Sequence, residues 1–157
     1  MKASQLLNEI KENVSNYDIN IIKESLKKED INPISKQVST YNLSNYEEIL
    51  NKEIKDIDDF EISENIVESM KNEIKLFFKG CSPESEESFK KFIESICLYL
   101  SLIAKKPLHP VGMDFGENNT VEEVIDGERV YYCDIKKPLK EEAEAYYTCK
   151  YCICKVR

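Results

Sequence analysis

Between Phe89 and Ile103 the chain is apolar on nearly every side of a would-be helix. Phe89, Phe92, Ile93, Ile96, Cys97, Leu98, Leu100, Leu102 and Ile103 leave no continuous polar face in the second half of the segment. A surface helix needs only one apolar stripe, so a helix of this kind has to be enclosed by others. Its limits are also legible. Ser82-Pro83-Glu84 gives a start signal, Lys105 and Lys106 suit the negative end of the helix dipole, and Pro107 ends it. The fold is therefore expected to be a set of helices gathered around this one.

The preceding residues supply candidates. Leu6, Leu7, Ile10 and Val14 recur at helical spacing within residues 4–14. Asp18 is placed to cap a second helix striped by Ile19, Ile22 and Leu26. Asn32-Pro33 is a cap followed by a proline, which opens a third helix with Ile34, Val38 and Tyr41 on its inner side. Ser44 and Glu47 fit a capping box, predicting a separate helix with Tyr46, Ile49, Leu50 and Ile54 as its stripe. Ser63 precedes a helix carrying Ile66, Val67, Met70, Ile74, Phe77 and Phe78, with Gly80 at the expected C-cap.

Beyond Pro107 the pattern changes. Residues 109–116 hold a proline and two glycines and read as an ordered loop, with Val111, Met113 and Phe115 alternating toward the core. Residues 120–125 and 129–134 alternate as strands around Asp126-Gly127, a strong hairpin-turn signal. A short helix is expected within residues 138–147. The predicted fold class is mainly α: a bundle of five or six helices around a central apolar helix, with a small Cys/His-rich β-hairpin cap at the C-terminal side. We read residues 1–157 as one domain, with residues 1–107 as the bundle and 108–157 as hairpin and tail.

Composition narrows the function classes. The chain has 157 residues, 22 Lys and Arg against 30 Asp and Glu, and a formal charge of -8. That length buries a core without staples. The charge is unevenly spread. Residues 133–157 hold six basic and four acidic side chains, net +2, whereas residues 1–132 hold 16 basic and 26 acidic ones, net -10. An acidic body of this kind argues against nucleic acid as a partner, since phosphate binding draws on a surplus of Lys and Arg. No apolar run approaches the roughly 20 residues of a membrane span. Residues 1–11 mix polar and apolar positions without a signal-peptide core. A cytoplasmic protein with an unidentified protein partner, and no membrane, is the expectation.

The cysteines are the chemical signal. Of six, Cys133, Cys149, Cys152 and Cys154 lie within the last 25 residues, near the only histidine, His109. Cys97 sits in the apolar helix as a core residue, and Cys81 follows the preceding one. Cys149-x-x-Cys152 has the spacing of a metal knuckle. With Cys133 and His109 it would complete a closed three-Cys, one-His zinc site, Cys154 standing as alternate ligand. Two other readings stay open: an iron–sulfur cluster on four cysteines, and a Cys149–Cys152 thiol redox pair. The sequence contains no phosphate-binding loop, dinucleotide fingerprint or nucleophile elbow. A catalytic zinc on His109, Cys133 and Cys149 or Cys152, with Asp114 or a nearby Glu as base, is the enzymatic variant. Four or more candidate ligands favour a structural site instead.

The set His109-Pro110-x-Gly112-Met113-x-Phe115, Tyr131-Tyr132-Cys133 and Cys149-x-x-Cys152 resembles the C-terminal motifs of an uncharacterised archaeal family found chiefly in methanogens. The likeness rests on residues 109–152, with Asp134 standing where a proline is expected after Cys133. It implies an anaerobic archaeal host and no particular reaction. It also implies that His109, Cys133, Cys149 and Cys152 belong together.

Overall fold

The computed structural model describes residues 1–79, 87–112, 114–115, 118–133 and 151–155. Helix α1 is Ala3–Ser15, and the stripe read from its spacing is its buried face: Ala3, Leu6, Leu7, Ile10 and Val14 are wholly enclosed. The entry into α1 is fixed from a distance. Lys2 bridges to Glu61, and the Ala3 N–H donates to the Phe60 carbonyl at 2.9 Å. Helix α2 is Asn20–Leu26, with the Asp18 carboxylate accepting from the Asn20 N–H and Ile22 buried. Helix α3 is Pro33–Asn51, opened by the Asn32 side chain, which accepts from the Ile34 and Ser35 N–H groups.

Helix α3 corrects one expectation. It runs unbroken through Ser44, where a new helix was predicted. Capping residues help only where a helix has to begin. Here Tyr41, Asn45 and Ile49 recur every four residues across the supposed break, and burying Asn45 and Ile49 on one face carries the helix through. The Asn45 amide donates to the Tyr41 carbonyl at 2.9 Å, which satisfies it inside the bundle. Ile34, Leu50 and Ile54, expected inside, are exposed.

Helix α4 is Glu64–Lys79 and buries Val67, Met70, Ile74 and Phe78, while Ile66 faces outward. Helix α5 is Glu87–Leu98 and continues as a π-helical segment, Tyr99–Ala104. It packs against α1, α3 and α4, so the all-round apolar helix is enclosed as its sequence requires. Phe92, Ile96, Leu98, Tyr99 and Leu100 are core residues, and Phe92 stacks on Tyr17 with ring centroids 4.6 Å apart. The cap and C-cap signals at residues 80–84 lie outside the described residues.

The C-terminal part is a small antiparallel sheet of β1 (Asp114–Phe115), β2 (Asn118–Ile125) and β3 (Glu128–Cys133), in that order. Asp126 and Gly127 both take positive φ, 52° and 80°, giving the tight two-residue turn their sequence announces. The tail then adds beside β3, with Lys155 bridging parallel to Tyr132. Val111, expected inward, is exposed. Met113 and residues 138–147 lie outside the described residues. Among the described residues no helix is long and apolar enough to cross a membrane.

Candidate functional site

The candidate site forms where the end of the α5 segment, the loop after it and the C-terminal tail meet α3. The loop begins with a forced backbone. Lys105 has φ 55°, a left-handed conformation that non-glycine residues seldom adopt. It closes the π-helical segment, letting the Lys106 N–H donate to the Leu100 carbonyl at 2.9 Å. Three successive residues are then tied down. The Lys106 ammonium binds both Glu48 oxygens, at 2.8 and 2.9 Å. The Pro107 carbonyl accepts from the Tyr41 hydroxyl at 2.6 Å. The Leu108 N–H donates to the Cys152 sulfur at 3.4 Å. His109 is the next residue, so its backbone is delivered by a loop held from both α3 and the tail.

Helical spacing explains the α3 contribution. Tyr41, Asn45 and Glu48 fall at i, i+4 and i+7 and share a face. Glu48 also accepts a 2.7 Å hydrogen bond from the wholly buried Tyr99 hydroxyl. Desolvation pushes the Glu48 carboxyl up. Hydrogen bonds from Lys106 and Tyr99, together with the Lys106 and Lys52 charges, outweigh it and hold the group below its ordinary value.

The tail is placed by backbone pairing. The Cys133 N–H donates to the Lys155 carbonyl at 3.2 Å, and the Lys155 N–H to the Tyr131 carbonyl at 2.8 Å. Cys133 and Cys154 are buried on either side of this junction, and Cys152 is half-buried. Burial raises the Tyr41 hydroxyl well above its ordinary value, and Cys152, Tyr131 and Cys154 push it the same way. Burial likewise pushes the Cys97 thiol up to about 12, with Cys152 and Glu94 adding to it. Cys97, read from the sequence as a core residue alone, is thus also a neighbour of the tail. Burial holds the His109 imidazole below its ordinary value, which keeps it neutral at pH 7.

Of the expected ligands, Cys152 accepts a hydrogen bond from the backbone of Leu108, the residue before His109, and Cys133 pairs through its backbone with Lys155 of the same tail. Cys149 lies outside the described residues. Among the described residues no three His, Cys, Asp or Glu side chains are positioned to hold one metal ion. Imidazole and thiolate are nonetheless the donor types that zinc and other borderline metals favour. The residues that the sequence reading missed are Tyr41, Glu48, Tyr99 and Lys106, which set the loop that carries His109. The shared face of Tyr41 and Glu48 was the one available signal.

The chain belongs to the family described as an uncharacterized protein conserved in archaea (DUF2115), whose profile matches residues 2–157. It is similar to a UPF0305 protein of Methanocaldococcus jannaschii, 33% identical over 99% of this chain and 96% of that one. A UPF0305 protein of Methanococcus maripaludis is 29% identical over 99% of this chain and 97% of its own length. No solved structure matches the chain.

Proposed function

We propose that this member of the archaeal family is a metal-binding protein in which zinc holds the C-terminal cap to the helical body. His109, Cys133, Cys149 and Cys152 are the ligands, with Cys154 as alternate, and the protein serves an accessory role toward another protein in the cytoplasm. The observation that carries the reading is the 3.4 Å hydrogen bond from the Leu108 N–H to the Cys152 sulfur. It sets a C-x-x-C sulfur beside the residue preceding the only histidine, across 44 positions of chain. Backbone N–H donors to sulfur also stabilise a thiolate. The described residues alone do not complete a ligand set, so the reading requires Cys149.

Structural zinc contributes on the order of 10–16 kcal/mol in isolated fingers. The gain is smaller here, because the buried residues of the helical core run from Ala3 to Leu100, with Leu108 and Tyr151 of the cap packed against its edge. The test is elemental analysis of protein purified without oxygen, beside Cys149→Ser and Cys152→Ser. We expect one zinc per chain, lost in both variants, with the helical circular dichroism kept. Iron with acid-labile sulfide would replace zinc by a cluster. Protein free of metal, with a thiol count that rises on reduction, would replace both by a redox pair.

A further inference from the structure

We propose that Tyr41 is a positioning residue for the Cys152 sulfur, acting on it through a single peptide unit, the one between Pro107 and Leu108. The contact itself is independent of any metal; its consequence for zinc rests on the reading of Cys152 as a ligand given above. Two hydrogen bonds carry the proposal. The Tyr41 hydroxyl donates to the Pro107 carbonyl at 2.6 Å, and the Leu108 N–H donates to the Cys152 sulfur at 3.4 Å. That carbonyl and that N–H belong to the same planar peptide. Among the described residues every peptide is trans, so the two groups point in opposite directions. One rigid plate is thus gripped at both ends, by helix α3 on one side and by the tail on the other.

The plate joins three segments that are 66 and 44 positions apart along the chain. Its flanks are held as well. Leu108 and Tyr151 pack against the helical core, and Lys155, three residues beyond Cys152, pairs with Tyr131 and Cys133. Turning the plate would break the bonds at both of its ends. The position of the sulfur and that of the Tyr41 hydroxyl are therefore set by one object.

Chemistry gives the two bonds a direction. A carbonyl oxygen only accepts, so the hydroxyl is the donor. Donation into the carbonyl draws electron density toward its oxygen and leaves the amide hydrogen more positive. Hydrogen bonds linked in this way strengthen one another. The N–H fixes one side of the sulfur and leaves its remaining lone pairs to face an ion. A group that orients a metal ligand from behind is typically worth about 10–100-fold in metal affinity. The Lys106–Glu48 pair, at 2.8 and 2.9 Å, anchors the same loop one residue earlier through a side chain, and so provides the control.

The test uses the reduced full chain, isotopically labelled for NMR, with and without zinc. Tyr41→Phe keeps the ring and deletes the donor. In the metal-free protein it should shift the Leu108 amide proton upfield, quicken its exchange at least about threefold, and move the Cys152 Cβ resonance. Tyr41→3-fluorotyrosine gives a stronger donor of nearly the same shape and should shift the same amide the opposite way. Lys106→Met loosens the same loop and should leave that amide shift near the parent's. In competition with a chromophoric chelator, Tyr41→Phe should bind zinc about tenfold more weakly, and Lys106→Met within about threefold of the parent. A Leu108 amide that ignores Tyr41→Phe, or moves the same way with fluorotyrosine, would overturn the proposal. So would zinc binding that Tyr41→Phe leaves unchanged. Equal effects of Tyr41→Phe and Lys106→Met would overturn it too, since Tyr41 would then be an anchor of the loop and nothing more. A parent that takes up no zinc, yet shows the two opposite amide shifts, ends the metal reading and upholds this one.

Discussion

Glu48 should be the most consequential polar residue of the bundle, although it lies on the rim. Replacing it by alanine strands the Tyr99 hydroxyl, which is wholly buried and donates to Glu48 at 2.7 Å. Leaving a buried donor without a partner costs about 1–3 kcal/mol. The Lys106 pair contributes less, because the two side chains are 36% and 34% exposed and water screens them. We assign that pair roughly 0.5 kcal/mol. Glu48→Ala should therefore cost about 2–3 kcal/mol, lowering Tm by roughly 4–12 °C for a chain of this size. Tyr99→Phe removes the donor together with its need and should cost only about 1 kcal/mol. Urea denaturation followed by circular dichroism, on both single variants and the double one, gives the coupling directly. The carboxyl is held below its ordinary value, so its contribution is complete above that value and is lost as pH falls through the folded-state one. The parent should lose stability faster than Glu48→Ala on acidification below about pH 4.5, the ordinary value. Equal losses for Glu48→Ala and Tyr99→Phe, with no coupling in the double variant, would refute the argument.

Two further outcomes follow from backbone and burial. Gly127 has φ 80° and a Cβ there would meet nothing, so Gly127→Ala isolates the backbone term of about 1–2 kcal/mol. Hydrogen exchange should show roughly tenfold faster exchange of the Glu123 and Ile125 amides, with the helices unaffected. Cys97 should resist alkylation, because burial first, then Cys152 and Glu94, pushes its thiol up to about 12. Peptide-mapped iodoacetamide labelling should rise about tenfold per pH unit from 8 to 10. A plateau near pH 9 would contradict that environment.

The bundle was legible where one apolar stripe decides one face. In α1, the spacing of Leu6, Leu7, Ile10 and Val14 names the buried residues directly. It was less legible in α3, where a local capping signature at Ser44 competed with a longer periodicity and lost to packing. The hairpin was readable from Asp126-Gly127, because its turn chemistry is local. The loop anchors were not. Glu48 and Lys106 lie 58 positions apart, and nothing near either residue announces the other. The π-helical form of Tyr99–Ala104 is hidden for a related reason: an all-round apolar run looks the same in either winding. For the cysteines, counting showed which ones share a segment. Only the fold shows that Cys152 reaches Leu108 and that Cys97 borders the tail.

The bridge between Lys155 and Tyr132 also bears on when this protein is finished. Domains begin to fold as they leave the ribosome, amino-terminal parts first. Helices α1 to α5 can therefore assemble early, yet the strand that completes the sheet's outer edge is made after every residue it touches. Until residues 151–155 emerge, the Cys133 N–H and the Leu108 N–H have no tail to pair with. Before that point the helical body can already close while the β3 edge at Tyr131 and Cys133 lacks the partner it has in the finished fold. The pairing of the tail with β3 thus follows the synthesis of every strand and loop residue that it joins.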